Sequence, residues 1–374
     1  FMPMTGELMT EPGDEENPET GYRSRFSHEK EKASAGYYHV ELEDYGITVD
    51  LTATTRAGLQ KYTFSKPGHS WVLIDLKESI TSDKILESEV RIINDRQIEG
   101  FRRTDGWADD QHLYFFAEFS KPFDSAAIVT GETISFSQDF AKGTELKAAL
   151  MFTTHPGEEI LVKTGISSVS ADNARKNVRA EIPGFDFEHT RMLAMKSWNR
   201  ELGRIEVESR SRADKVKFYT ALYHCFIAPN IYSDVDGRFR GHDLQIHEGE
   251  DHPMYTVFSL WDTFRALHPL FTIIQQERTN ELINAMLTIY RIGGLLPVWE
   301  LAANETWCMI GYHSIPVIAD AYAKGIRGYD AELALQAMQK SAMQDHHGLK
   351  YYRKHGYIPA GKDGESVSKT LEYA

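Results

Sequence analysis

Cysteine is scarce: the 374 residues hold two, Cys225 and Cys308. They are far apart and in no metal-ligand spacing, which excludes a disulfide framework and a cysteine-based zinc site. Long apolar runs are missing too, since nothing approaches the roughly 18 residues that a membrane span needs. Positive charge is outnumbered, with 41 Lys and Arg against 55 Asp and Glu and a formal net charge of −14. That balance argues against nucleic acid and against an anionic membrane surface as partners. The opening FMPMTG has neither a basic start nor a long apolar stretch, so no signal peptide is visible. It reads as the end of a strand entering a turn, and the closing GESVSKTLEYA stops inside a helical pattern. Both ends read as cut, and the chain as an internal piece of a larger protein.

What is present suits a large packed core: 41% of residues are hydrophobic and 11% aromatic, and the length suggests two domains. Residues 11–35 are polar and read as loop. From Tyr37 to about Val169 the apolar residues recur with period two. Ten strand-length runs, from YYHVEL to ILVKTGIS, are separated by Gly, Pro, Asp and Ser turns. Such runs at short spacing fit an antiparallel β-sandwich or a barrel, and with no repeat unit for a propeller the sandwich is the reading taken over 1–170. Residues 171–210 read as a helical linker, with Leu193, Trp198 and Leu202 able to line one face. Ser211, three residues before Asp214, makes a capping box for a helix bearing Val216, Tyr219, Leu222 and Phe226 on one side. Helices are then expected at about 262–275, 277–291, 311–325 and 330–343, with another from Ser366. A β-rich half followed by a helix-only half is the order of a sandwich attached to an α-toroid, here over 211–374.

Chemistry concentrates between Tyr255 and His313. Two tryptophans each stand directly before a carboxylate, as Trp261-Asp262 and Trp299-Glu300. A planar ring beside a carboxylate is what a sugar pocket needs: the ring covers the apolar C–H face, and the carboxylate takes hydrogen bonds from hydroxyls. Asp262 opens a helix and has a bland role available as its N-cap. Arg265, one turn on, is expected to hold Asp262 ionised by opposite charge. Gly293 and Gly294 end one helix, and Pro297 then presents Trp299 and Glu300 in a loop; the bland alternative for Trp299 is a lid over the core. Asn304-Glu305-Thr306 matches the N-glycosylation pattern, with ligand binding or helix capping as its alternatives. Cys308 has no adjacent base and reads as a wall residue. His313 divides evenly between helix packing and ligand contact, and His268-Pro269 reads as a helix kink with a satisfied histidine. Asp234-Val235-Asp236-Gly237 faintly resembles a calcium loop and reads better as a hairpin turn. His28 and Glu29 are remote candidates. Carboxylates sharing a pocket raise glycoside hydrolysis, with Asp262, Glu300 and Glu305 as candidates.

The stretches SLWDTFRALHPL, GGLLPVWELAANETWCMIGYHSIPVIADAYAKGI and ESVSKTLEYA resemble glycoside hydrolase family 92, the calcium-dependent exo-α-mannosidases common in gut Bacteroidetes. FSHEKEKASAGYYHVEL and GITVDLTATTRAGLQKYTFSK are similar to the same family's β-sandwich. The resemblance is collinear over nearly the whole chain. It implies an N-terminal β-sandwich joined by helices to an (α/α)6 toroid, only partly covered by this chain. It also implies an inverting reaction with a Glu as general acid and an Asp as general base, assisted by Ca2+ at the mannose. Acid, base and most calcium ligands are expected C-terminal to TLEYA, so no catalytic or metal residue is assigned here. The glycone pocket carries over: Asp262 matches the WDTFR motif, and Trp261, Trp299 and Glu300 line the same subsite. Arg265, Asn304, Cys308 and His313 follow. The implied partner is a mannose-containing glycan, and the implied location is the periplasm or the cell surface. The competing readings are another sandwich–toroid glycosidase such as an α-glucosidase, a phosphorylase, and a carbohydrate-binding protein that has lost its chemistry.

Overall fold

A computed structural model describes the whole chain except Glu15, Pro18, Glu19 and Glu250, so part of the polar stretch 11–35 lies outside the described residues. The chain divides into two compact units. One comprises Phe1–Gly106 with His112–Gly203, and the other Trp107–Gln111 with Arg204–Ala374.

Among its described residues, the first unit holds two antiparallel sheets. A five-stranded sheet runs in the order Met2–Thr5, Gly68–Asp75, Leu146–Thr154, Ser125–Thr130, Thr133–Ser135. A nine-stranded sheet begins at Phe140–Gly143 and runs through Lys84–Ile92, Gln97–Asp105, Gln111–Phe119 and Glu158–Ser167. It continues through Ala57–Phe64, Ile47–Ala53, Tyr37–Leu42 and Lys32–Ser34. Their inner faces share one core, in which Val72, Ile74 and Leu150 of the smaller sheet meet Tyr62, Phe64, Phe119 and Ile160 of the larger. This is the expected sandwich. Val72, Leu73 and Ile74 are buried in succession, so both faces of the smaller sheet are covered. Leu8, Met9 and Tyr22 pack on the core. The same segment supplies the Thr10 carbonyl and Glu11 (2.7 Å) to the buried ammonium of Lys147, with Asp75 at 3.5 Å. Pairing is what makes such burial tolerable.

The period-two pattern does not reveal Gln97–Asp105, where Gly100 and two arginines dilute it. The glycine is there for packing: a Cβ on it would stand 2.4 Å from the Phe115 ring. Helix α1 (Ala171–Glu181) and helix α2 (Phe187–Leu202) lie in this unit, and Ala174, Val178 and Phe187 share a small core with Leu59 and Phe116 of the large sheet. The expected face of α2 is displaced. Leu193 is exposed, and Ala194 and Trp198 instead stand against Gly36. Phe187, Thr190, Ala194 and Trp198 make the inward stripe at helical spacing.

In the second unit, helix α3 (Arg212–Cys225) is capped as expected, with Ser211 Oγ accepting from the Asp214 amide at 3.3 Å. Val216, however, faces solvent, and of the expected face Leu222 alone is fully buried. There follow α4 (Leu260–Thr263), α5 (Leu267–Ile274), α6 (Gln276–Gly293), α7 (Ser314–Ala323), α8 (Ala331–Ala342), α9 (Leu349–His355) and α10 (Ser366–Tyr373). Leu282 to Ile289 of α6 are buried almost without interruption except at Asn284, so this helix is central and α5, α7 and α8 surround it. Its end is set by Gly294, left-handed at φ 86°, whose amide returns to Tyr290 at 2.8 Å. Pro269 does not kink a helix. It sits in the first turn of α5, where no amide donor is required. Asp234–Gly237 is a turn closed by the Gly237 amide on the Asp234 carbonyl at 2.9 Å, in keeping with the hairpin reading. Among the described residues no helix is long and apolar enough to cross a membrane.

Candidate functional site

The two Trp–carboxylate pairs are joined by backbone. Phe258–Ser259 pairs with Trp299–Leu301, with Ser259 opposite Trp299 and Phe258 opposite Glu300. Trp299–Leu301 in turn pairs with Asn304–Glu305 across a two-residue turn. That turn is built from Ala302 (φ 48°) and Ala303 (φ 67°), a conformation that normally calls for glycine or asparagine. Buried side chains hold it there. Thr256 Oγ1 accepts from the Ala302 amide at 2.6 Å, and Glu300 Oε1 accepts from the Ala303 amide at 2.8 Å.

Glu300 is 1% exposed. Its Oε1 also accepts from Thr256 Oγ1 at 3.1 Å, while Oε2 has no hydrogen-bond partner. Burial pushes its pKa up to about 8, against the lowering effect of the Ala303 and Thr256 hydrogen bonds. Burial thus favours the protonated, neutral form of Glu300. His242 Nε2, also unpartnered, lies 3.9 Å from Oε1, and burial takes that imidazole down to about 4. Burial thus favours the neutral form of both partners over an ion pair. Glu305 is a brace: Oε2 accepts from the Val298 amide at 2.7 Å, and Oε1 from those of Trp299 at 2.9 Å and Trp307 at 3.1 Å. Asn304 is fully engaged as well, its amide reaching the Asp110 and Ala302 carbonyls and its oxygen the Asp110 amide. It neither caps a helix nor keeps an open donor, because these backbone groups use both ends.

Asp262 differs. It is exposed on α4 and accepts from Ser259 Oγ. It does not cap the helix, whose start carries no side-chain cap. The pairing of Arg265 with Asp262 expected from sequence is not formed; Arg265 instead reaches Glu372 at 2.9 Å and lies over the Phe264 ring. One turn of helix separates the two side chains, but Glu372 on α10 draws the guanidinium the other way. His313 is buried and stacked on Phe264, with centroids 3.9 Å apart and planes at 5°. Its Nε2 stands 3.3 Å from Glu372 Oε2 without the alignment of a hydrogen bond. Burial lowers its pKa, opposed by Glu372. Gly311 makes room for this ring: a Cβ there would lie 2.2 Å from it, and φ is 91°. Trp261 is half-buried and its indole Nε1 is buried without a partner. Trp299 is buried and packs on Trp107 at 4.5 Å. Cys308 is exposed and free. His28 bonds Glu31 at 2.6 Å within the first unit. His268 is buried with Nε2 unpartnered, so it is not the satisfied histidine expected, and burial takes it down to about 4.

Beside the Asn304–Glu305 strand lies a cavity of about 440 Å³ lined by Asp109, Asp110, His242, Leu244, Trp307 and His346, among others. None of these six was singled out from sequence, whereas Asn304 and Glu305, which were, line the same cavity. Trp307 stood in the quoted WCMIGYH, and a third Trp beside NET was the available signal. Trp107, Asp109 and Asp110 lie in a turn between strands, where no local pattern marks function. Among the described residues no group of three or more His, Cys, Asp or Glu is placed to hold a metal ion.

Residues 173–374 match the glycosyl hydrolase family 92 catalytic domain, and residues 1–167 match that family's N-terminal domain. The chain belongs to glycosyl hydrolase family 92. A family GH92 α-mannosidase of Bacteroides thetaiotaomicron is 42% identical over 100% of this chain and 51% of its own, with a TM-score of 0.96. A family GH92 inverting mannosidase of the same organism is 30% identical over 100% of this chain and 50% of its own, at TM-score 0.89. A secreted glycosidase of Arthroderma benhamiae, otherwise uncharacterised, is 28% identical over 236 residues, 58% of this chain and 26% of that protein. The chain thus spans about half the length of these solved relatives and about a quarter of the curated one. The fold is that of the family: an antiparallel β-sandwich followed by helices of an α/α toroid.

Proposed function

We propose that the full-length protein is an exo-acting α-mannosidase that removes terminal α-linked mannose from glycans by an inverting mechanism. One observation carries this reading: the Ser259–Trp299 backbone pairing, which sets the WD and WE motifs side by side in a chain 42% identical to an α-mannosidase throughout. On this reading Asp262 takes hydrogen bonds from mannose hydroxyls. Trp261, whose indole N–H lacks a partner, supplies a donor beside it. Trp299, held against Trp107, is the ring at the sugar's apolar face. Glu300 and Glu305 act behind these groups. Glu300 secures the Ala302–Ala303 turn, and Glu305 secures the amides of both Trp299 and Trp307. Arg265 and His313 shape the Phe264 side of the pocket through Glu372. Asn304 fixes the Asp110 backbone, and Cys308 is a wall residue at most.

We place the general acid, the general base and the calcium ligands in the part of the relatives that this chain does not span. A periplasmic or surface location goes with a glycan substrate and with the secreted relative. The test is release of free mannose from a panel of α-linked mannobioses by the full-length protein, with calcium and then with EDTA. Calcium-dependent release is expected. A folded protein releasing none in either condition contradicts the reading.

A further inference from the structure

Asp262 and Arg265 stand three residues apart in a backbone that stays right-handed helical through Phe264, at φ −65° and ψ −30°. Opposite charges at that spacing are neighbours on a helix surface and ordinarily pair. Here they do not. Asp262 is exposed and accepts from Ser259 Oγ, while the Arg265 guanidinium lies 2.9 Å from Glu372 Oε1. An arginine folded back on Asp262 would take the oxygens that a sugar hydroxyl needs, because a guanidinium can bond both oxygens of a carboxylate at once.

Glu372 is placed to prevent that. Its side chain is 16% exposed against 64% for Arg265, so the acid is the anchored member and the arginine keeps room to swing. The next residue, Tyr373, is buried and fixes this end of α10. Its ring stacks on Tyr312 with centroids 4.9 Å apart, and its hydroxyl donates to the His347 carbonyl at 3.0 Å. Its carbonyl accepts from the Tyr312 hydroxyl at 3.2 Å. The second oxygen of Glu372 stands 3.3 Å from His313 Nε2. That imidazole is itself locked, parallel to Phe264 at 3.9 Å, in space that a side chain at Gly311 would fill. Arg265 lies over the Phe264 ring as well, at 4.7 Å. Groups from α10, from the turn after α4 and from the start of α7 thus converge on one carboxylate, and Asp262 is left out of the cluster.

We propose that Glu372 is a positioning residue: it holds Arg265 away from Asp262 and so keeps the Asp262 carboxylate open to hydroxyls of the terminal sugar. The proposal rests on the α-mannosidase reading above and adds to it a residue that acts without touching the sugar. Without Glu372 the guanidinium falls back on its helix neighbour, and the substrate must displace it in order to bind.

The test is a double-mutant cycle in the full-length enzyme, with kcat and KM measured on the α-linked mannobiose that the wild type cleaves best. Glu372→Gln keeps the size of the side chain and removes its charge. It is expected to raise KM about two- to fivefold with kcat nearly unchanged, the effect of one exposed ion pair that substrate must break. In the Arg265→Met background the same change should cause no further rise, because no guanidinium remains to capture Asp262. Salt gives a second readout. Raising the ionic strength from about 0.05 M to about 0.5 M should narrow the KM gap between wild type and Glu372→Gln by screening the new pair, whereas a merely repacked pocket would not respond. Glu372→Asp, which keeps the charge and shortens the reach, should shift KM in the same direction and serves if Glu372→Gln does not fold. An equal rise of KM in both arginine backgrounds, or no rise in either, for folded variants overturns the proposal and leaves the α-mannosidase reading standing. A wild-type enzyme that hydrolyses no mannobiose removes both.

Discussion

The two Trp–carboxylate pairs look alike in sequence and are opposites in the fold. Asp262 is exposed with Ser259 as its hydrogen-bond partner, whereas Glu300 is 1% exposed, its pKa raised to about 8, and its Oε1 is committed to Thr256 and the Ala303 amide. The tryptophans divide similarly. Trp261 keeps an unsatisfied indole N–H, and Trp299 is buried against Trp107. A motif of ring plus acid therefore states a residue type and not a role. The role is set by what the neighbouring backbone demands of the acid. Ala302 and Ala303 turn with positive φ and recruit Glu300, while the helix start at Leu260 asks nothing of Asp262.

The largest break in this contrast should come from the third carboxylate. Glu305→Ala orphans the amides of Val298, Trp299 and Trp307. At about 1–3 kcal/mol for each unsatisfied buried group, the loss of stability should exceed about 3 kcal/mol, read as a lower urea midpoint. Next is Asp262→Asn. A lost hydrogen bond to a substrate hydroxyl costs about 1.5–3 kcal/mol, so kcat/KM should fall roughly tenfold to a hundredfold with Tm unchanged. An unchanged kcat/KM would reduce Asp262 to a surface residue.

A pH titration sharpens the comparison further. The Glu300 carboxyl binds its proton more tightly folded than unfolded, since burial raises it from 4.5 to about 8. Between those values the folded state holds more protons, so stability must fall as pH rises across that window, by at most about 1.4 kcal/mol per pH unit. Glu300→Gln should flatten this part of the stability–pH curve, and an unchanged slope would show that another group sets it. The smallest effect is expected at Arg265→Met. Its partner pairing to Glu372 is largely solvent-exposed on the arginine side, so about 1 kcal/mol or less should be lost.

The architecture was legible because period-two runs and helical stripes each record a single buried face. It failed where burial is two-sided or local. Gln97–Asp105 hides behind Gly100, chosen for the Phe115 ring, and α2 turns Ala194 and Trp198 inward because Gly36 admits them. The site was legible as a segment, not as a geometry. Sequence placed Arg265 one turn from Asp262, yet the choice between Asp262 and Glu372 depends on α10, more than a hundred residues later. The same distance in sequence hid Asp109 and Asp110, which meet His242 and Trp307 only in the folded cavity.

The most direct measurement is a side-by-side comparison of Asp262→Asn and Glu300→Gln in the full-length enzyme, with kcat/KM on α-mannobiose and urea stability recorded for both from pH 5 to 9. Asp262→Asn should lose activity at every pH and keep its stability. Glu300→Gln should keep the larger share of activity and lose the wild-type pH dependence of stability. The reverse pattern, with Glu300 carrying activity and Asp262 carrying stability, would contradict the division of labour drawn here.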